Sequence, residues 1–103
     1  MESIEMDSLV LPTSLKTVGE EAFMGGNFTY VKMPEGATRI DSRAFAYCMN
    51  MRFIEIPTST TSIATDAFDG VNGLTIIGKT GSYAQTYAET NGLIFSSSGE
   101  MRY

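Results

Sequence analysis

The stretch Val31 to Ile56, VKMPEGATRIDSRAFAYCMNMRFIEI, decides how this chain is read, because its features recur on both sides at a nearly constant distance. Pro34 lies 22 residues after Pro12 and 23 before Pro57, and these are the chain's three prolines. The pairs Ala22-Phe23, Ala44-Phe45 and Ala67-Phe68 keep the same two steps, as do Val18, Ile40 and Ile63. Four position types repeated three times at one period describe stacked units, none of which can bury its apolar face without its neighbours. The architecture expected is a repeat solenoid.

Within a unit, Met6-Asp7-Ser8-Leu9-Val10-Leu11 reads as L-x-x-L-x-L, and the same template fits Phe28 to Met33 and Met51 to Ile56. Leu74 to Ile77 begins it a fourth time. A period of 22 to 23 falls inside the leucine-rich-repeat range of roughly 20–29 residues. Side chains alternate across a strand, so Leu9/Leu11, Val31/Met33 and Ile54/Ile56 are expected to point inward and stack between coils. Each proline follows the last inward residue, where a missing N–H ends the ladder at no cost. A polar turn comes next, then the lone aliphatic residue in a short second strand. Glu21, Arg43 or Asp66 then leads into Ala-Phe, where alanine permits a close turn of helix or 3₁₀ and phenylalanine fills the coil from the convex side. The pairs Gly25-Gly26, Tyr47-Cys48 and Gly70-Val71 turn the chain into the next strand.

The pattern breaks after Ile77. Residues 81–92 read as a short helix with Ser82 as N-cap and Asn91-Gly92 as its stop. Tyr83/Tyr87 and Ala84/Ala88 are i, i+4 pairs on one face, suited to lying over the last coil. Leu93-Ile94-Phe95 completes this lid as a strand-like segment, and Ser96 onward reads as a disordered tail. The divisions expected are therefore a lead-in at 1–5, about three and a half repeats over 6–77, a C-terminal cap over 78–95 and a tail over 96–103.

Units of the form I-x-I-P-x-x-x-x-x-I-x-x-x-A-F-x-x-C, here Val31 to Cys48 and Ile54 to Val71, ending in G-S-Y-A-x-x-Y-A-x-x-N-G-L-x-F, carry a family resemblance. The chain resembles the BspA-like leucine-rich repeats, found on bacterial and protist surface proteins. The resemblance implies a right-handed leucine-rich-repeat coil with a parallel β-sheet, and a role in binding, often adhesion to host or matrix proteins. It also implies a cell-surface or secreted location, and it brings no catalytic residues with it. With few units and no N-terminal cap or export signal before Met6, the chain is expected to be a fragment or a small member.

Composition narrows the function further. Hydrophobic residues at 43 % with 18 % charged residues suit a globular chain rather than a disordered one. A net charge of −5 without a Lys/Arg cluster argues against nucleic acid and anionic membrane as partners. No apolar run approaches the roughly 18 residues of a spanning helix. The acidic start MESIEMDSL is not a secretory signal, so either the protein stays inside or the sequence is an excerpt. With no histidine, the chain lacks both the commonest general base and the commonest metal ligand. No cofactor and no metal are expected, and the chain is not expected to be an enzyme.

Several residues invite sharper readings that the pattern does not favour. Cys48 shares its position with Gly26 and Val71 and reads as a buried structural cysteine rather than a reactive thiol. Glu20, Glu21, Asp41, Asp66 and Asp69 lack the D-x-D-x-D-G spacing of a calcium loop and read as a solvated face. Gly78-Lys79-Thr80-Gly81-Ser82 lacks the register of a phosphate loop and reads as entry to the cap. Tyr83 and Tyr87 read as helix-to-core packing.

The candidate site follows from strand parity. The outward columns are expected to be Ser8, Tyr30, Phe53, Ile76 and Val10, Lys32, Glu55, Gly78. Tyr30, Phe53 and Ile76 would form a non-polar stripe flanked by a Lys32–Glu55 cross-strand pair, and aromatic residues so placed are typical of binding hot spots. A protein or glycan ligand is the expected partner. The alternative is a structural spacer or self-assembling stalk that displays another domain, and the uncapped N-terminal edge at residues 4–12 is expected to permit self-association.

Overall fold

The computed structural model describes residues 8–97. In chain order its elements are β1 (Ser8–Val10), β2 (Thr17–Val18), β3 (Tyr30–Lys32), β4 (Arg39–Ile40), β5 (Phe53–Glu55), β6 (Ser62–Ile63), β7 (Thr75–Gly78), α1 (Tyr83–Thr90) and β8 (Ile94–Ser97). The strands separate into two parallel sheets, β1-β3-β5-β7-β8 and β2-β4-β6. This is the solenoid that the period implies, the first three coils each contributing one strand to each sheet.

The inward column of the large sheet runs Leu9, Val31, Ile54, Ile76, Phe95, and that of the small sheet Val18, Ile40, Ile63. Between them lies the core, with Val31, Ile54, Ile76, Val18, Ile40 and Phe45 fully buried. Each proline closes its strand and its carbonyl then accepts the N–H three residues on, from Leu15, Ala37 or Thr60. The buried Thr60 adds its hydroxyl to the carbonyl of Ala37 at 2.9 Å, one coil back.

The convex segments follow an alternating rule. The N–H groups of Ala22, Met24 and Gly26 close i→i+3 turns on Gly19, Glu21 and Phe23, as in a 3₁₀ turn. Those of Glu21, Phe23 and Gly25 instead donate to Ser42, Ala44 and Ala46 of the next coil, at 2.8–3.1 Å. Phe45 and Tyr47 repeat this toward Ala67 and Asp69. The alternation requires left-handed backbone, which Gly25 and Gly70 adopt freely but which Glu21, Arg43 and Tyr47 adopt at φ of 59°, 54° and 59°. The first three coils are thus hydrogen-bonded to one another along three tracks, and the fourth joins the third through the large sheet.

Inside the convex wall the phenylalanines form a ladder. Phe23 stacks on Phe45 at 5.5 Å and Phe45 on Phe68 at 5.7 Å, with the rings nearly parallel. Tyr87 of α1 then meets Phe68 edge-on at 6.1 Å and ends the ladder. Ser82 occupies the N-cap backbone position, although its hydroxyl makes no capping bond. Gln85 instead accepts the N–H of Gly81, the residue before the cap, at 2.8 Å. At the other end Asn91 is the C-cap, its side chain donating to the Tyr87 carbonyl at 2.9 Å.

Two expectations need correction. Ile76 does not lie beside Phe53; it pairs with Ile54 and is fully buried, and Thr75 takes the place beside Phe53. The fourth unit is one residue shorter at this point: three positions separate Met51 from Ile54 but two separate Leu74 from Ile76. Leu74 and Ile76 both enter the core, and because strand parity is two, the missing residue exchanges the faces of everything after it. Gly78 accordingly moves inward. A methyl there would lie 3.0 Å from Ala84 Cβ and 3.4 Å from the Ile56 carbonyl, so glycine is what allows α1 to close on the last coil. The second correction concerns the tail: Ser96 and Ser97 continue β8 in register with Ile77 and Gly78. The lead-in at 1–5 and residues 98–103 lie outside the described residues.

Candidate binding surface

The outward face of the large sheet carries two columns. One runs Ser8, Tyr30, Phe53, Thr75, Ile94 and the other Val10, Lys32, Glu55, Ile77, Ser96. Four of the five residues expected here, Tyr30, Phe53, Lys32 and Glu55, are brought together on this face. The fifth, Ile76, belongs to the core. Ile94 extends the stripe in its stead at 57 % exposure, at the far side of Thr75. Alternation in Leu93-Ile94-Phe95 was the available signal, once Phe95 is recognised as the inward member.

Glu55 organises the polar part. Tyr30 donates its hydroxyl to Glu55 Oε1 at 2.7 Å, diagonally across the strands, and Lys32 Nζ reaches the same oxygen at 3.1 Å. Burial opposes ionisation of Glu55, but the hydrogen bonds from Tyr30 and Lys32 and the ammonium charge outweigh it and hold the carboxyl below its usual value. Burial, the hydrogen bond to Glu55 and the carboxylate's charge push the Tyr30 hydroxyl up to about 12. The result is a fixed phenol, carboxylate and ammonium beside the half-buried ring of Phe53. Such an arrangement can offer a stacking surface and both signs of charge.

At the ends of β3, β5 and β7 the face descends into a cleft of about 260 Å³, lined by Lys32, Glu35, Glu55, Pro57, Thr58 and Lys79 among others. A second cleft, of about 330 Å³, lies over the small sheet beside Arg39, Asp41 and Ser42. There Arg39 is bound to Asp41 at 2.9 Å, and Glu20 also lines the cleft.

The remaining candidates resolve into structure. Cys48 is fully buried, donates its thiol to the Phe23 carbonyl at 3.2 Å, and has that thiol pushed up by burial, which disfavours the reactive thiolate. The acidic residues are dispersed: Glu21 pairs with Arg43 at 3.1 Å, and Asp66 accepts the Ser42 hydroxyl. Among the described residues no group of three His, Cys, Asp or Glu side chains is placed to hold a metal ion. Within 78–82, Gly78 ends β7 and the Ser82 N–H donates to the Lys79 carbonyl, so the segment is a turn into α1. Tyr83 accepts the Ile63 N–H and Tyr87 donates to the Ala64 carbonyl at 2.8 Å, which makes both tyrosines part of the lid.

A protein family described as BspA type leucine rich repeat region (6 copies) matches residues 1–97. No curated protein and no solved structure matches the chain.

Proposed function

The chain belongs to the BspA-type leucine-rich-repeat family, and on that premise we propose that it is a non-catalytic binding module whose ligand, a protein or a glycan, lies on the outward face of the large sheet. The observation that carries this reading is the cluster of Tyr30, Phe53, Glu55 and Lys32, in which polar groups are held in fixed positions around aromatic surface. A ring beside oriented donors and acceptors suits either a side-chain anchor or the apolar face of a sugar. The context proposed is a cell-surface or secreted protein with an adhesive role, in keeping with the family's frequent surface association. Among the described residues no helix is long and apolar enough to cross a membrane.

Size sets the strength. Five strands at about 4.8 Å spacing span only ~19 Å, while a standard interface buries ~800 Å² on each side. One module of this size binds weakly, and useful avidity comes from several acting together. The test is to compare the parent chain with Tyr30→Ser/Phe53→Ser on immobilised matrix proteins and on a glycan array. The reading predicts that signals seen with the parent vanish in the double variant while its circular dichroism is unchanged. Equal binding by a folded double variant would remove the face from consideration. The spacer reading draws on the hydrogen-bonded tracks that join coil to coil; it predicts no ligand in either panel.

A further inference from the structure

The tripeptide Asn-Gly-Leu occurs twice in the chain, at Asn72-Gly73-Leu74 and at Asn91-Gly92-Leu93. Asparagine before glycine is the pairing in which a side-chain amide most readily reacts with its own backbone, because glycine's missing Cβ leaves its nitrogen open to approach. Both asparagines are exposed, and both glycines hold left-handed backbone, at φ of 72° and 71°. Their hydrogen bonds, however, differ completely.

Asn91 is the C-cap of α1. Its side-chain amide donates to the Tyr87 carbonyl at 2.9 Å and its own N–H to the same oxygen at 3.0 Å, while the Gly92 N–H reaches the Glu89 carbonyl at 3.5 Å. The Leu93 N–H then donates to the Ala88 carbonyl at 2.8 Å. Any swing of the Asn91 side chain onto Gly92 breaks several of these bonds together. At Asn72 nothing comparable holds the chain. The segment is anchored on either side, by the Val71 N–H on Phe68 and the Thr75 N–H on Arg52. Between those anchors, among the described residues, neither the Asn72 side chain nor the N–H of Asn72, Gly73 or Leu74 has a hydrogen-bond partner. Arg52 Nη1 lies 3.6 Å from where a Cβ on Gly73 would sit, and a cation there favours loss of the Gly73 amide proton.

We propose that Asn72 is a site of spontaneous backbone modification, closing on Gly73 to a succinimide that water opens to aspartate and isoaspartate, and that Asn91 is protected from the same chemistry by its cap. The Gly73 amide gives its proton to hydroxide, and its nitrogen attacks Asn72 Cγ. As that N–Cγ bond forms the Cγ–Nδ2 bond breaks, and the leaving nitrogen takes a proton from water and departs as ammonia. Water then opens the ring at either carbonyl. Opening at Cγ restores the main chain as aspartate, whereas opening at the main-chain carbonyl routes the backbone through Cγ as isoaspartate. One water is consumed for each ammonia released, with no change of oxidation state. Both products add a negative charge to the turn that leads into β7. Isoaspartate also adds a backbone carbon two residues before Leu74, which is buried, and three before Thr75, whose N–H holds the Arg52 carbonyl at 2.8 Å. The joint between β5 and β7 is thereby loosened.

The experiment ages the folded 103-residue chain in mildly alkaline buffer beside a sample unfolded in urea, and follows both sites by peptide mapping with mass spectrometry. In the folded chain Asn72 is expected to convert at least about tenfold faster than Asn91. In urea, where the cap is gone, the two identical tripeptides are expected to convert at like rates. Asn91 keeping pace with Asn72 in the folded chain overturns the proposal, and so does a lead for Asn72 that persists undiminished in urea. Hydrogen exchange tests the consequence: aged parent is expected to exchange faster in β7 than fresh parent, and aged Asn72→Gln to match its own fresh sample. Equal loosening of aged Asn72→Gln, or none in the converted parent, overturns the link between this turn and β7.

Discussion

Phe23 and Phe68 hold the same position in the first and third coils, yet only Phe68 is buried. Phe68 has a ring on each side, Phe45 below and Tyr87 above, while Phe23 stacks on Phe45 alone and meets Phe28 edge-on. Their difference arises from neighbours and not from their own coils. A coil here has no core of its own, and the same residue type contributes in proportion to the layers that enclose it.

The comparison breaks most readily at the middle of the ladder. Phe45→Ala removes a fully buried ring stacked on both faces and is expected to cost about 3–5 kcal/mol, unfolding the domain as one unit. Phe23→Ala is expected to cost clearly less. Urea denaturation of both variants decides the order, and a larger loss for Phe23 would mean that the first coil is enclosed after all.

At the capped end, Gly78→Ala drives a methyl against Ala84 and is expected to cost about 1–3 kcal/mol, felt as a loosened lid. Hydrogen exchange in α1 should then rise faster than in β3. A smaller effect is expected from Tyr87→Phe, which keeps the ring on Phe68 but leaves the Ala64 carbonyl without the tyrosine hydroxyl, a loss of about 1 kcal/mol in the thermal or urea transition.

The same tyrosine reports alkali. Burial, reinforced by Tyr83 and Asp66, pushes Tyr87 up to about 12, and Tyr30 rises to about 12 as well. A raised folded value means that their contribution is whole below the ordinary tyrosine value of about 10 and is lost as pH climbs toward the folded value. Ultraviolet titration of the five tyrosines should therefore show a late fraction, absent in urea.

The smallest effect lies on the outward face, far from either end. Glu55 has a lowered folded value, so its contribution is present above the ordinary glutamate value of about 4.3 and fades as pH falls through the folded one. Acidification is expected to shift the urea midpoint of the parent more than that of Glu55→Gln, by no more than the ~0–1 kcal/mol typical of exposed pairs.

Much of this was legible in the residues because a repeat writes each instruction several times. Pro12, Pro34 and Pro57 marked strand ends, Val18, Ile40 and Ile63 the second sheet, and Gly81 to Gly92 the lid. The fourth strand was harder because Leu74-Thr75-Ile76-Ile77 is apolar at three of four places, so either parity satisfies the pattern and only packing against Ile54 selects one. The left-handed residues Glu21, Arg43 and Tyr47 were also hidden. Their backbone is imposed by hydrogen bonds to the next coil, whereas glycine at Gly25 and Gly70 announces the requirement openly. On the candidate face, parity gave Tyr30, Phe53, Lys32 and Glu55, but the convergence of Tyr30 and Lys32 on one oxygen depends on a diagonal that sequence spacing does not express.

The tracks of hydrogen bonds that join coil to coil all run along the solenoid axis, and this gives the module a direction in mechanics. Tension applied along that axis strains the rungs between one pair of coils at a time, so the chain peels from an end at modest force. Tension applied along the strands shears every rung of a pair together and meets far greater resistance. A tether attached through α1 and one attached through the turn after Pro34 would accordingly experience the same fold as two different materials.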